Sequence, residues 1–264
     1  GNNVYTLELG LMDISEEEVV NELVPIVESY LNETLEIVSL KDSMHHLGYT
    51  SLVLKHQQNY SLQYGFQQYA LEPLNCGDSF SAFHQDNLHY LALSDGMGQG
   101  KMAANESKLT LEVLSKLILN GIGLKDTIDS INALLKIKNR NDMFTTLDLC
   151  NINLANARMK LIKYGANPSY HIRSGMVEKI ATNSLPVGVV SKLKMVSYEM
   201  PLKNNDLIIM SSDGTGNDFE QIVNDNVHLY CDQHPQEIAT FLMDQVLEKN
   251  NLDDISIIVI KVVN

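Results

Sequence analysis

The sequence predicts an α+β fold, antiparallel sheets flanked by helices and preceded by a small α/β module. Three observations carry that expectation. Short apolar runs follow one another without intervening helices over residues 60–93 and again over 144–173, the order of hairpins and not of β-α-β crossovers. Two strongly periodic helical stretches lie together between those runs, at 101–120 and 126–139. The opening residues carry a strand, a helix and two further strands of their own, so a boundary is expected between a small regulatory or linker module over 1–58 and a second domain over 59–264.

Taken in order, residues 4–9 alternate as a strand does. Ser15-Glu16-Glu17-Glu18 is a capping box, in which the Ser15 hydroxyl caps the helix and Glu18 reaches back. Val19, Val20, Leu23, Val27, Tyr30 and Leu31 then recur at helical spacing. Pro25 among them predicts a kink or a late start, because its ring crowds the preceding turn. Strands follow at 35–40 and 50–55, and from Tyr60 the pattern turns strand-rich, with 60–69, 79–84 and 88–93. The helix at 101–120 gathers Leu109, Val113, Leu114, Leu117 and Ile118 on one face and stops at Gly121. The helix at 126–139 gathers Ile128, Ile131, Leu134, Leu135 and Ile137. Residues 144–152, 158–164 and 168–173 read as a meander punctuated by Gly165 and Gly175. Strands at 195–200 and 207–211, a helix at 238–248 and a strand at 255–262 complete the chain.

Composition narrows the function. A formal net charge of −14 with only three arginines (Arg140, Arg158, Arg173) excludes a nucleic-acid footprint, which needs a basic face. Cys76, Cys150 and Cys231 lack CxxC spacing and fit reduced thiols, not a disulfide framework or a zinc site. No stretch reaches the ~18 apolar residues of a membrane span, so no membrane contact and a cytoplasmic location are expected. The chain opens Gly1-Asn2-Asn3 without an initiator methionine, and a membrane anchor upstream is allowed for.

The chemistry lies at strand ends. The apolar run 88–93 ends in Ser94-Asp95-Gly96, and the run 207–210 ends in Ser211-Ser212-Asp213-Gly214. Asp78 opens one strand, and Asp253-Asp254 stands before the last. Buried strands fix a terminal carboxylate closely, and glycine lets the backbone turn near a ligand. None of these acids has an arginine nearby in sequence. Carboxylates that converge without cationic partners repel, and such oxygen-only sets suit Mg²⁺ or Mn²⁺ better than Zn²⁺. Spacing alone does not show that they converge.

The order of motifs resembles the PPM-type metal-dependent protein phosphatases, in the bacterial branch typified by stage II sporulation protein E. The matching segments are Cys76-Gly77-Asp78-Ser79-Phe80, Leu93-Ser94-Asp95-Gly96-Met97-Gly98-Gln99-Gly100, the helix segment 103–111 with Glu106-Ser107, residues 144–149, Gly165-Ala166-Asn167-Pro168-Ser169, Ser184-Leu185-Pro186-Val187-Gly188, Ser212-Asp213-Gly214 and Asp253-Asp254-Ile255-Ser256. The resemblance implies a PPM-type antiparallel β-sandwich with helices outside. It also implies a centre of two Mn²⁺ or Mg²⁺ ions and hydrolysis of phosphoserine by a metal-activated water. Asp95 would bridge both ions, the Gly96 carbonyl would complete one shell, Asp78 would support that site, and Asp213 and Asp253 would hold the second ion. Asp254, where relatives often carry Asn, would stand behind them. The implied substrate is a phosphorylated anti-anti-sigma factor in sporulation sigma-factor control, with a homodimer allowed. The helices at 101–120 and 126–139 would act as a switch that brings the Gly96 carbonyl into place.

Two departures stand out. Thr215-Gly216-Asn217 precedes Asp218 where relatives show an apolar pair and then Asp, so Asp218 receives no role. The phosphate-anchoring arginine of classical eukaryotic members is missing, which leaves Lys101 or the metals to hold the phosphate. Other chemistries fit less well. Ala82, Asn156 and Glu237 stand six residues after the cysteines, where a thiol phosphatase needs Arg, and Asp95 and Met102 stand where a P-loop needs Gly and Ser/Thr. His45-His46 and the His84/His89 set lack a second ligand pair. The alternatives kept are a general-stress type anti-anti-sigma phosphatase and a non-catalytic pseudophosphatase binding module.

Overall fold

The computed structural model describes residues 6–12, 14–31, 34–42, 49–56, 59–72, 75–97, 100–138, 144–230, 232–249 and 253–264. Expectations that fall on residues 4–5, His45-His46, Leu47-Gly48, Gly98-Gln99, Asn139, Arg140 and Cys231 lie outside the described residues. The chain divides into two compact units, Gly1–Asn59 and Tyr60–Asn264.

In the first unit, β1 (Thr6–Met12), β3 (Tyr49–His56) and β2 (Leu35–Asp42) form an antiparallel sheet in the order β1-β3-β2. Between β1 and β2 runs a helical segment: α1 (Glu16–Glu18), a π-helical turn (Val19–Leu23) and α2 (Val24–Leu31). The Ser15–Glu18 capping box forms as expected. Pro25 sits in the first turn of α2, and the preceding turn widens so that Val24 N–H bonds the Val19 carbonyl. This π turn is how the segment accommodates a proline whose ring would otherwise meet an α-helical carbonyl. Val19, Val24, Leu35, Leu52 and Leu54 form the unit's buried core.

The second unit contains two five-stranded antiparallel sheets. One has the order β10-β9-β12-β13-β4, built from β4 (Ser61–Tyr69), β9 (Ser169–Arg173), β10 (Met176–Ile180), β12 (Leu207–Ser211) and β13 (Ile255–Val263). The other has the order β11-β8-β7-β6-β5, built from β5 (Asp78–Gln85), β6 (Leu88–Asp95), β7 (Leu147–Asn153), β8 (Arg158–Tyr164) and β11 (Ser197–Pro201). Between them Leu91, Leu93, Cys150 and Ile152 meet Ile208, Met210, Ile258 and Ile260. Outside the second sheet lie α3 (Lys101–Leu119) and α4 (Leu124–Lys138), packed through Leu111, Leu114, Ile128 and Ile131 onto Tyr90, Leu147 and Leu149. Outside the first lie α5 (Phe219–Asp225) and α6 (Pro235–Leu247), packed through Phe219, Ile238 and Leu242. The layers are helix, sheet, sheet, helix, in agreement with the α+β expectation.

The expected meander over 144–173 is corrected. β7 and β8 do pair, but β9 crosses to the other sheet and joins β10 and β12, while β8 takes β11 as its second neighbour. β13 is buried over eight of its nine residues, the mark of a central strand covered on both faces.

Candidate metal centre

Four aspartates stand at one end of this sandwich. Asp78 is the first residue of β5 and Asp95 the last of β6, and they are direct partners in the antiparallel register. Direct partners point to the same face. Here it is the inner face, because Phe80 and Leu93, two pairs along, belong to the core between the sheets. From the other sheet, β12 runs into Ser212 and a 3₁₀ turn (Asp213–Thr215) that carries Asp213, and Asp253 precedes β13. Asp95 and Asp213 line one cavity of about 80 Å³ together with Asp148 and Asn167. The depth is graded: Asp78 is buried, Asp95 half-buried, Asp213 and Asp253 exposed.

The electrostatics are those of an uncompensated cluster. Burial first, then the charges of Asp213 and Asp254, push the Asp78 carboxyl up to about 7 against hydrogen bonds from Ser212 and Ser256. Burial and the charges of Asp78, Asp213, Asp253 and Asp254 push Asp95 up to about 8. Asp213 is raised by burial and by Asp253. The leading charges acting on all three are those of other carboxylates. Asp78 Oδ2 is buried without a hydrogen-bond partner. An orphaned carboxylate oxygen within a set of hard oxygen donors fits a divalent cation such as Mg²⁺ or Mn²⁺. As the side chains stand, no three His, Cys, Asp or Glu groups among the described residues close on a single point. The four acids act on one another through space without yet forming a shell.

Backbone contacts hold the frame tightly. Gly96 N–H bonds the Gly77 carbonyl at 3.2 Å, and a Cβ at Gly96 would stand 2.1 Å from the Ala103 carbonyl oxygen of α3. A Cβ at Gly214 would stand 2.0 Å from the Asp254 carbonyl oxygen. Only glycine admits these approaches. Asp95 is gripped at its backbone: Thr146 Oγ1 accepts its N–H at 2.9 Å, and Thr145 Oγ1 donates to its carbonyl at 2.7 Å. Asp254 accepts the N–H groups of Leu71 at 2.7 Å and Gly77 at 2.6 Å, one on each oxygen, and so ties down the segment that leads to Asp78.

Other sequence candidates fall outside the cluster. Lys101 opens α3 and is exposed. Asp218 precedes α5, is exposed and pairs with Lys249 at 3.4 Å. His84 and His89 stack on each other across β5 and β6 with ring centroids 5.1 Å apart. Burial pushes the Cys76 thiol up to about 12, so no thiolate nucleophile stands beside Asp78 at neutral pH. Sequence reasoning gave no role to Asp148, Lys163 and Asn167, although Asp148 and Asn167 lie within the matched segments 144–149 and 165–169. The available signal was an acid between Leu147 and Leu149 and a lysine between Ile162 and Tyr164, which the structure places as direct partners.

The model of the stage II sporulation protein E (SpoIIE) family matches residues 85–263. The chain is 30% identical over 279 residues to stage II sporulation protein E of Bacillus subtilis (strain 168), covering 98% of this chain and 34% of that protein. It is 30% identical over 277 residues to stage II sporulation protein E of Priestia megaterium, covering 98% of this chain and 47% of that protein. It therefore spans less than half the length of these curated relatives. Among solved structures it resembles the PP2C phosphatase domain and regulatory-domain fragment of the cell fate determinant SpoIIE from Bacillus subtilis, with a TM-score of 0.85 and 27% identity over 100% of this chain and 79% of that one. The catalytic domain of the serine/threonine protein phosphatase PstP in complex with two manganese ions gives a TM-score of 0.64 over 78% of this chain and 100% of that one, and at 20% identity it shows the fold alone. With the family's segments in order around one cluster of acids, the chain belongs to the stage II sporulation protein E family, whose PP2C-type fold it carries.

Proposed function

We propose that this chain is a metal-dependent protein serine/threonine phosphatase unit that hydrolyses phosphoserine on a phosphorylated anti-anti-sigma factor. The observation that carries the reading is the convergence of Asp78 and Asp95 from one sheet with Asp213 and Asp253 from the other, with fellow carboxylates as the leading charges on Asp78 and Asp95. The family membership and the SpoIIE phosphatase domain among its structural neighbours support it. The two manganese ions named for the PstP domain support a pair of ions as the missing charge.

In this reading Asp95, Asp213 and Asp253 hold the cations, the Gly96 carbonyl completes one shell, and Asp78 supports that shell from the deepest position. Two divalent ions in such a site supply an acidified water as nucleophile and positive charge for the phosphoryl oxygens. The protein's share is positional. Paired strand ends and backbone clamps hold the carboxylates where they cannot swing apart, so little reorganisation is left for the reaction. The Gly96 and Gly214 contacts keep the backbone close behind the acids. Because Ala103 of α3 bears directly on Gly96, a shift of α3 would carry the carbonyl with it, which supports control of activity through this helix. We extend the reading to a cytoplasmic place of action, supported by the free thiols of Cys76 and Cys150.

The test is hydrolysis of a phosphoserine peptide and of p-nitrophenyl phosphate with and without Mn²⁺. Mn²⁺-dependent release of phosphate is expected, and a protein that is inactive and indifferent to Mn²⁺ refutes the reading. Faster turnover of the phosphorylated anti-anti-sigma factor than of an unrelated phosphoserine protein is expected, and equal rates remove the substrate assignment.

A further inference from the structure

Beneath the acid cluster lies a buried ion pair that none of these roles uses. Lys163 on β8 and Asp148 on β7 are register partners, with 0% and 2% of their side chains exposed, and Lys163 Nζ donates to Asp148 Oδ2. Burial pushes the Asp148 carboxyl up and the Lys163 ammonium down, and each opposes the other's shift. Removing two charges from water is expensive, and an apolar pair of similar volume is often as stable or more so. Stability alone therefore does not account for the pair.

Its position does. Asp148 is also the register partner of Leu93, two residues before Asp95, so the pair occupies the row next to Asp95 on the inner face. Lys163 Nζ further donates to the Asn167 carbonyl at 2.6 Å, and Asn167 Nδ2 donates across to the other sheet, to the Ser212 carbonyl at 2.9 Å. Ser212 is the residue before Asp213. The Asn167 loop is braced from behind, since Gly165 N–H bonds the Ser184 carbonyl at 3.1 Å and Ser184 Oγ donates to the Lys163 carbonyl at 2.5 Å. Asp148, Asn167 and Ser212 all line the cavity between Asp95 and Asp213.

We infer that Lys163, Asp148 and Asn167 form a positioning relay that fixes the spacing of Asp95 and Asp213 across the two sheets. The inference rests on the metal-centre reading above. Groups that orient metal ligands from behind typically change metal affinity or activity by roughly 10–100-fold when removed. Asn167 is partly exposed, so Asn167→Ala retains the fold. The double variant Lys163→Met with Asp148→Leu replaces the pair by apolar bulk and removes the anchor of Asn167.

Calorimetric titration with Mn²⁺ alone, beside thermal melting without metal, separates positioning from mere support. Both variants are expected to melt within a few degrees of the parent and to bind Mn²⁺ roughly tenfold more weakly. The kcat for p-nitrophenyl phosphate should fall more than KM rises. Parent-like Mn²⁺ affinity in either folded variant overturns the relay while leaving the metal reading intact. Should the double variant not fold, Asn167→Ala decides alone. A parent protein that binds no Mn²⁺ overturns both.

Discussion

One strand carries an aspartate at each end, and the two live under opposite rules. At the entry to β12, Asp206 is buried, which by itself would raise its carboxyl. Hydrogen bonds from His171 at 3.1 Å, from Arg173 Nη2 at 2.5 Å and from the Lys203 N–H at 2.8 Å more than offset this and bring it down to about 2. At the exit, Asp213 joins Asp78 and Asp95, and these three carboxyls are raised. Residue type and strand are the same. Asp206 finds its partners within the protein, whereas Asp78, Asp95 and Asp213 face other carboxylates as their leading charges. A carboxylate left unpaired inside a well-made fold marks function better than the mere presence of an acid.

The contrast can be broken at several points, and Asp95→Asn is the largest. Turnover should fall by roughly 10³-fold, as for loss of a principal electrostatic group. The metal-free protein should melt no lower than the parent, because a repelling charge is gone. Parent-like activity excludes Asp95 from the centre. Next comes Gly96→Ala, whose added methyl cannot coexist with the Ala103 carbonyl. A loss of about 1–3 kcal/mol is expected from such overpacking, read by urea unfolding, together with a rise in the Mn²⁺ needed for half-maximal rate.

At the satisfied end the effects reverse. Asp206→Asn should cost about 1–3 kcal/mol by weakening bonds to buried partners, while kcat with Mn²⁺ is unchanged. The pH dependence has a fixed sign. The folded carboxyl at about 2 lies below the ordinary 3.8, so its contribution is present above 3.8 and is lost as pH falls toward 2. Acid unfolding of the parent should steepen in that window, and the Asn variant should lack that part of the slope. The smallest effect belongs to Asp218→Asn, exposed and paired only with Lys249. Less than about 0.5 kcal/mol and no change in Mn²⁺ dependence are expected, and a metal-affinity defect there would return Asp218 to the centre.

Much of this was legible in the residues. The unbroken apolar runs before Asp95 and Asp213 and after Asp253 announced central strands with acids at their ends, because only doubly covered strands carry no polar alternation. β10 escaped notice because it is a short edge strand in which Ile180 alone is fully buried. α5 escaped because seven residues give too little periodicity. The sheet that β9 joins depends on partners 35–39 residues ahead, which no local pattern encodes. The Asp148–Lys163 relay was open to a reader who paired the two strands first, since Asp148 between Leu147 and Leu149 then faces Lys163 between Ile162 and Tyr164.

Gly96 and Gly214 abut backbone from elsewhere, and among the described residues Asp78 is tied across to the other sheet through Ser212, Ser256 and Gln68, which donates to its carbonyl at 3.2 Å. A cation gripped by Asp95 and Asp213 would be a staple across the sandwich. Its binding energy would appear as resistance to heat, about 2.7 kcal/mol at a hundredfold excess over Kd. Metal supply would then govern how long the molecule survives as well as how fast it works.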